Sequence, residues 1–443
     1  MGTMADGTYL AESRDVARRQ WLTLGAVCTA FFMLSVNNTL VNVALPTIQR
    51  AFNVPTSSLE WILNGYALTL AVLVVTMGKL GDLFGRKRLF LIGMVIFTYA
   101  SLISSFAPTL GAVIACRVAQ GVGGAIVMPA TLSIITATFQ GRARATAISL
   151  WSAVGGIAIV AGPIIGGLLV QYLSWRWIFF ISVPVSALVF VLTLRFVRES
   201  RDTAKAGKVD LLGVATLSPA LFALTLALIE GQAWGWTSGR ILGLVALGVV
   251  CFAAFVVVEQ RQAHPMVDFG LFRSLSFAVA NLINLVYLFG IYGLLFFMTL
   301  YMQGILGYSA LQAGLHTLPL GLIAFGAPIG ARLVARFGAR PVLVVGLGCV
   351  SGALILASQR LSPGSAYAAF FPSFMLVGCG AGLISSPSSN IAMSAVPHTK
   401  AGVASGILNM TRQLGSVLGI AVLGAIYAAA PAPISATPLA ACR

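Results

Sequence analysis

Arg117 and Arg412 stand inside long apolar runs, where a guanidinium is costly unless it meets a partner or a wet cavity. Snorkelling to a membrane surface is open to both, less so to Arg412, which lies three turns into its run. Gln120 and Gln413 lie near them, but nearness in sequence does not place two side chains on one helix face. Groups able to exchange a proton are scarce. All 11 carboxylates lie in loops or at the ends of apolar runs, and Glu60, at the outer end of the second run, is the best placed. His316, about a turn and a half into the tenth run, is the one histidine inside such a run. Aromatic and amide side chains are candidates for a cavity wall: Asn64, Tyr66, Trp151, Asn281, Asn284, Tyr287, Tyr292, Tyr301, Gln303, Asn390 and Asn409. Many of these serve equally well as packing or as aromatics at a membrane interface. No nucleophile–base pair, metal-ligand spacing or phosphate loop is present, so neither enzyme, cofactor nor metal is expected.

Residues of these types need a membrane scaffold to hold them. The chain is 58% hydrophobic and 9% charged, a balance for spanning helices and not for a soluble core. Its net charge of +16 would suggest nucleic acid in a soluble protein. Here the cations sit in short gaps between apolar runs, which points to a lipid bilayer as partner and not to nucleic acid. The 6 cysteines are scattered singly, with no metal or redox spacing. Thirteen spans are expected, at about 22–44, 59–80, 89–107, 111–136, 145–170, 176–196, 209–230, 240–258, 276–302, 311–333, 340–358, 366–392 and 401–428. With the N-terminus inside, 20 of the 27 basic residues fall on the cytoplasmic side and five outside.

The spans repeat. Gly78-Lys79-Leu80-Gly81-Asp82-Leu83-Phe84-Gly85-Arg86-Lys87-Arg88 reads as a tight cytoplasmic turn, and a weaker copy, Arg332 to Arg340, follows 253 positions later. Spans one to five then map onto nine to thirteen, and spans seven and eight are an inserted pair. Gln120-Gly121-Val122-Gly123 resembles Cys379-Gly380-Ala381-Gly382, each followed by a proline. The expected organisation is a cytoplasmic segment 1–21, a six-helix bundle 22–198, a linker with the inserted pair 199–275, a five-helix bundle 276–428 and an outer tail 429–443. A sixth helix of the second bundle is not expected, because the tail carries Pro431, Pro433 and Pro438. The C-terminus is therefore expected outside. In the fifth span Gly155, Gly162 and Gly166, with Ala158 and Ala161, form a face that another helix can approach closely, and Pro163 can bend it. Asp82 ends its helix where the dipole disfavours a carboxylate, so it needs another partner.

The all-α, two-bundle pattern resembles the major facilitator superfamily over nearly the whole chain. Gly78-x-Leu80-x-Asp82-x-x-Gly85-Arg86-Lys87 is similar to that family's cytoplasmic loop signature. Asn42-Val43-Ala44-Leu45-Pro46, Trp175-Arg176-Trp177-Ile178-Phe179 and the inserted pair resemble its fourteen-helix drug:proton antiporter branch. Gly162-Pro163-x-x-Gly166-Gly167, closing the glycine face, resembles the motif of the family's exporters. The resemblance implies that Asp82 latches against the span starting near Ala401, and that Arg117, in Arg117-Val118-Ala119-Gln120-Gly121, takes part in proton coupling. It also implies a proton gradient as the energy source. One position departs from the pattern. The branch carries an acid in its first span where this chain has Asn37, in Asn37-Asn38-Thr39-Leu40-Val41-Asn42, and an amide takes up no proton near neutral pH. Proton movement is then expected to depend on Glu60 or His316, or to be weak. The expected protein is a multi-pass, monomeric exporter of the cell (inner) membrane, for small neutral, amphipathic or weakly anionic molecules. A metabolite importer of the same family, or a receptor or assembly protein without transport, is the alternative.

Overall fold

A backbone in hydrocarbon must satisfy its own polar groups, so each apolar run is forced into a helix. The computed structural model describes residues 3–201, 210–262, 265, 267–360, 367–396 and 401–429, less the side chains of residues 3–17 and of a few others, Asp82 among them. The tail beyond Ala429 and most of the basic linker lie outside the described residues. In the first half α1 (Thr3–Phe52), α2 (Thr56–Phe84), α3 (Arg86–Ser105), α4 (Leu110–Thr138) and α5 (Gly141–Tyr172) are followed by a short α6 (Trp177–Phe180) and α7 (Ser182–Phe196). The inserted pair is α8 (Leu211–Trp234) and α9 (Gly239–Arg261). The second half holds α10 (Leu275–Gly304), α11 (Ala310–His316), α12 (Leu322–Phe337), α13 (Ala339–Arg360), α14 (Phe371–Ser394) and α15 (Ala401–Ala429). Among the described residues 12 stretches are long and apolar enough to cross a membrane, α6 and α7 together counting as one.

Several boundaries differ from expectation, among them the start of α1 at Thr3 and the division of the sixth span into α6 and α7, and two more fall at a proline. The tenth span, read as one helix over 311–333, is broken: α11 ends at His316, a 3₁₀ turn covers Leu318–Gly321, and α12 resumes. Pro319 lacks the donor an α-helix needs there. A capping box, Ser309 with Gln312, starts α11 on its own account. At the first span the helix does not stop near residue 44. Pro46 removes one backbone donor, but α1 continues to Phe52 and turns at Asn53, φ 50°.

The halves repeat in their packing. α1 lies on α5, and α2 and α3 lie on α4; correspondingly α10 lies on α15, and α12 and α13 on α14. The main contacts between halves, α2 with α15 and α5 with α11, are related by the same repeat. The inserted hairpin breaks the symmetry, because α8 rests against both α2 and α15. Its two helices are tied by Asp210, whose carboxylate accepts from the Gly213 N–H at 2.6 Å and from Gln262 Nε2 at 2.7 Å. Large apolar side chains on α3, α7, α9 and α13, such as Val95, Val191, Val250 and Val344, point outward, as a lipid-facing belt requires. The end of the bundle bearing the α2–α3 turn is called the Gly85 end below, and the opposite one the Asn53 end.

Candidate functional site

Arg117 is wholly buried, and its charge is met by dipoles from several helices. Nε donates to the Ile62 carbonyl of α2 at 2.9 Å, while Nη1 donates to Asn37 Oδ1 of α1 at 2.6 Å and to Gln120 Oε1 at 2.8 Å. The guanidinium also lies 4.4 Å from the centre of the Tyr66 ring. Gln120 Nε2 in turn donates to Ser101 Oγ of α3 at 2.7 Å, and Asn37 Nδ2 reaches Ser182 Oγ of α7 at 3.4 Å. One arginine thus joins α1, α2, α3, α4 and α7. Of the two resolutions open to a buried arginine, a partner or a wet cavity, this is the partner. Gln120, three residues along the same helix, does share its face. The position where the family pattern has an acid, Asn37, is the amide that holds the arginine.

The second half uses the same device with more exposure. Arg412 Nε donates to Asn284 Oδ1 of α10 at 3.0 Å, and Nη2 to Ser389 Oγ of α14 at 2.6 Å. Asn284 is buried and donates to the Ala280 carbonyl. The candidate wall divides accordingly. Asn64, Tyr66, Asn281, Asn284, Tyr287 and Tyr301 are packed away, whereas Asn38, Trp151, Tyr292, Asn409 and Arg412 stay partly accessible and Asn390 is exposed. Trp151 stacks on Phe31 of α1, centroids 4.2 Å apart, and donates to Thr131 Oγ1. Asn38 crosses between halves, donating to the Tyr292 hydroxyl at 3.1 Å. Asn42 bonds only locally, to the Thr39 carbonyl at 3.5 Å.

The glycine motif of α5 turns out to serve two surfaces. A β-carbon built at Gly155 would fall 2.8 Å from the Phe31 ring, one at Gly162 on Thr39 Oγ1, and one at Gly166 2.7 Å from the Leu40 carbonyl oxygen. These three press α5 onto α1, within the first half. Gly167 faces the other half: its β-carbon would lie 2.7 Å from the Ala310 carbonyl oxygen and from Leu311 Cα. Gly314 of α11 answers it, sitting on the Pro163 carbonyl. Gln171 Oε1 accepts from the Leu311 N–H at 3.3 Å, closing the same seam. Gly415 and Gly419, 253 residues beyond Gly162 and Gly166, pack in the same manner against Leu285 and Phe289 of α10. By the helices they face, Gly121 and Gly123 correspond to Gly378 and Gly380, two residues earlier than the sequence similarity suggested.

At the Gly85 end, Gly85 has φ 110°, and a β-carbon there would lie 2.7 Å from the Glu199 carboxylate. Both facts demand glycine. Glu199 caps α3, accepting from the backbone N–H of Lys87 at 3.0 Å and of Arg88 at 3.1 Å, where the helix dipole favours an anion. The Arg86 N–H donates to the Ser200 carbonyl and Lys87 Nζ to the Leu194 carbonyl, so the turn is fastened to the end of α7. Gly78 lies beside Pro129 of α4. Asp82, the expected latch, has a side chain outside the described residues. His316 is held in an aromatic stack with Tyr367, centroids 3.9 Å apart, and Tyr308, within the second half. Glu60 is 3% exposed near the Asn53 end of α2.

Sequence reasoning did not single out Ser101, Ser182, Ser389, Glu199 or Gly314. A serine in an apolar run carries no spacing signal, and Glu199 looks like one more charge after a span. The Gly314–Pro319–Gly321 series was the readable sign of the break in the tenth span.

With this geometry in place, the family follows. The sequence pattern of the Major Facilitator Superfamily matches residues 27–420, and the chain belongs to that family. The tetracenomycin C resistance and export protein of Streptomyces glaucescens is 36% identical over 93% of this chain and 76% of its own length. The multidrug resistance protein Stp of Mycobacterium tuberculosis (strain CDC 1551 / Oshkosh) is 38% identical over the same shares, 93% and 76%. The multidrug efflux pump LfrA of Mycolicibacterium smegmatis is 34% identical over 97% of this chain and 84% of its own. Among solved structures, the human organic anion transporter MFSD10 superposes with TM-score 0.63 at 16% identity, covering 95% of this chain and 96% of that one, a likeness of fold alone.

Proposed function

We propose that this protein exports small amphipathic compounds across the cell membrane by alternating access, with protons moving the other way. The carrying observation is the placement of α5. Its glycines hold α1 inside one half while Gly167 and Pro163 meet α11 of the other, so α5 is the surface along which the halves can rock. The names of its relatives, resistance and efflux proteins, support an exporter of drug-like molecules. Scarcity of acids among the accessible polar groups favours neutral or weakly anionic cargo. The excess of basic residues supports a cytoplasmic Gly85 end, with the N-terminus on the same side. Ala429 at the close of α15 then lies outside.

In this orientation α5 meets the second half from Val160, beside Gly321, to Gln171, its outer portion. A susceptibility panel of antibiotics and dyes, comparing cells that express the protein with empty-vector cells, tests the reading. Raised resistance with lower intracellular dye is expected; greater dye accumulation at equal expression would indicate import instead.

A further inference from the structure

Neither the Arg117 cluster nor the Arg412 cluster contains an acid. The acid lies elsewhere, in the seam where α2, α15 and α8 meet. Glu60 is 3% exposed, and Oε2 has no hydrogen-bond partner among the described residues. One turn along α2, Asn64 is fully buried, and neither its Nδ2 nor its Oδ1 is bonded. Three polar atoms without partners on one stretch of one helix are unusual in a buried seam, where each costs about 1–3 kcal/mol. The other half reaches the carboxyl through Gly424 of α15, whose absent side chain makes the space: a β-carbon there would lie 2.7 Å from Oε2. The inserted helix α8 closes the third side, with Phe222 against Trp61, centroids 5.5 Å apart, and with Glu230, whose charge bears on Glu60. The other cations on helices packed against α2 are engaged elsewhere. Arg117 binds Ile62, Asn37 and Gln120; Arg412 binds Asn284 and Ser389; Arg50 binds the Pro46 carbonyl; Arg19 binds the Phe196 carbonyl; and Arg18, Arg86, Lys87 and Arg88 lie toward the Gly85 end.

From this geometry we infer that Glu60 is a proton-binding site in the α2–α15–α8 seam, apart from the two arginine clusters, with Asn64 as its neighbour and the inserted hairpin as its wall. The proton forms an O–H bond at the carboxyl and leaves from it when the seam loosens. Because Gly424 belongs to the opposite half, rocking of the halves changes what surrounds the carboxyl, which links its proton to the conformational cycle. The site rests on the antiport reading only for its use, not for its existence.

Infrared difference spectra of the purified full-length protein in lipid nanodiscs, titrated with acid, read the carbonyl stretch of a protonated carboxyl directly. A titrating band is expected in the wild type, absent from Glu60→Gln and displaced in Gly424→Ala and Glu230→Gln. A band unchanged in Glu60→Gln would overturn the site. Should that variant not fold, an unmoved band in Gly424→Ala would do so instead. Proton counterflow in proteoliposomes, with tetracenomycin C as probe, separates the two claims. Counterflow lost in Glu60→Gln, with the probe still carried, supports the site as the coupling acid. Probe transport without proton movement in the wild type would overturn antiport and leave the infrared band to decide the site.

Discussion

Arg117 keeps a charge in the interior because every bond it makes goes to a neutral dipole whose helix it also positions. Asn37 supplies the shortest of them, 2.6 Å, from α1. Asn37→Ala would leave Nη1 with Gln120 alone and Ser182 without its contact, at a cost of about 1–3 kcal/mol. The expected result is a lower melting temperature in detergent, while Asn42→Ala, which loses only a 3.5 Å local bond, should barely move it. Equal melting points would mean the amide is not part of the support. At this scale the sequence was informative where a side chain contrasts with its surroundings. Asn37, Arg117, Gln120 and Glu60 stand out as polar groups in or beside apolar runs. Their partners do not. Ser101 and Ser182 look like any membrane-helix serine, which can bond its own backbone, and the Ile62 carbonyl has no sequence signature at all.

Among the elements, α5 and α2 bear the most on function. Gly166 leaves no room for a β-carbon against the Leu40 carbonyl, whereas Gly111 at the start of α4 has nothing within 4 Å. Gly166→Ala should therefore separate α5 from α1 and cut export at least about tenfold, the effect of roughly 1.4 kcal/mol, while Gly111→Ala leaves it unchanged. Comparing dye efflux at matched membrane levels checks both, and equal activity would remove α5–α1 contact from the account. For α2 the argument rests on its dipole: Asp82→Asn should reduce efflux without reducing the amount of protein in the membrane. Unchanged efflux would make Asp82 a plain loop charge. The glycine face was legible because its period matches a helix, but its division was not. Gly166 and Gly167 are adjacent in sequence yet about 100° apart around α5, so one serves α1 and the other α11. The tenth span hid its break because the composition stays apolar through Pro319 and only hydrogen bonding changes there.

For the whole molecule, the repeat was readable because turns keep their chemistry. Phe84-Gly85 and Phe337-Gly338 both close a helix with a glycine at positive φ, 110° and 82°. Which faces the two halves press together was not readable, since this is a property of packing between residues far apart in the chain. Along α2, α15 and α8 the halves share one apolar cluster, running from Val75 through Ile407 to Leu217. On the opposite flank the bonds of α5 to α11 lie toward the Asn53 end. In the proposed orientation, rocking breaks this second seam to release cargo outside. The most direct test introduces Gln171→Cys and Leu311→Cys together, where Gln171 Oε1 now lies 3.3 Å from the Leu311 N–H. Accumulation of a dye to which expression of the protein confers resistance is then followed in inverted membrane vesicles before oxidation, after it, and after reduction. Transport should stop on cross-linking and return with the reductant; full transport by the cross-linked protein would contradict alternating access through this seam.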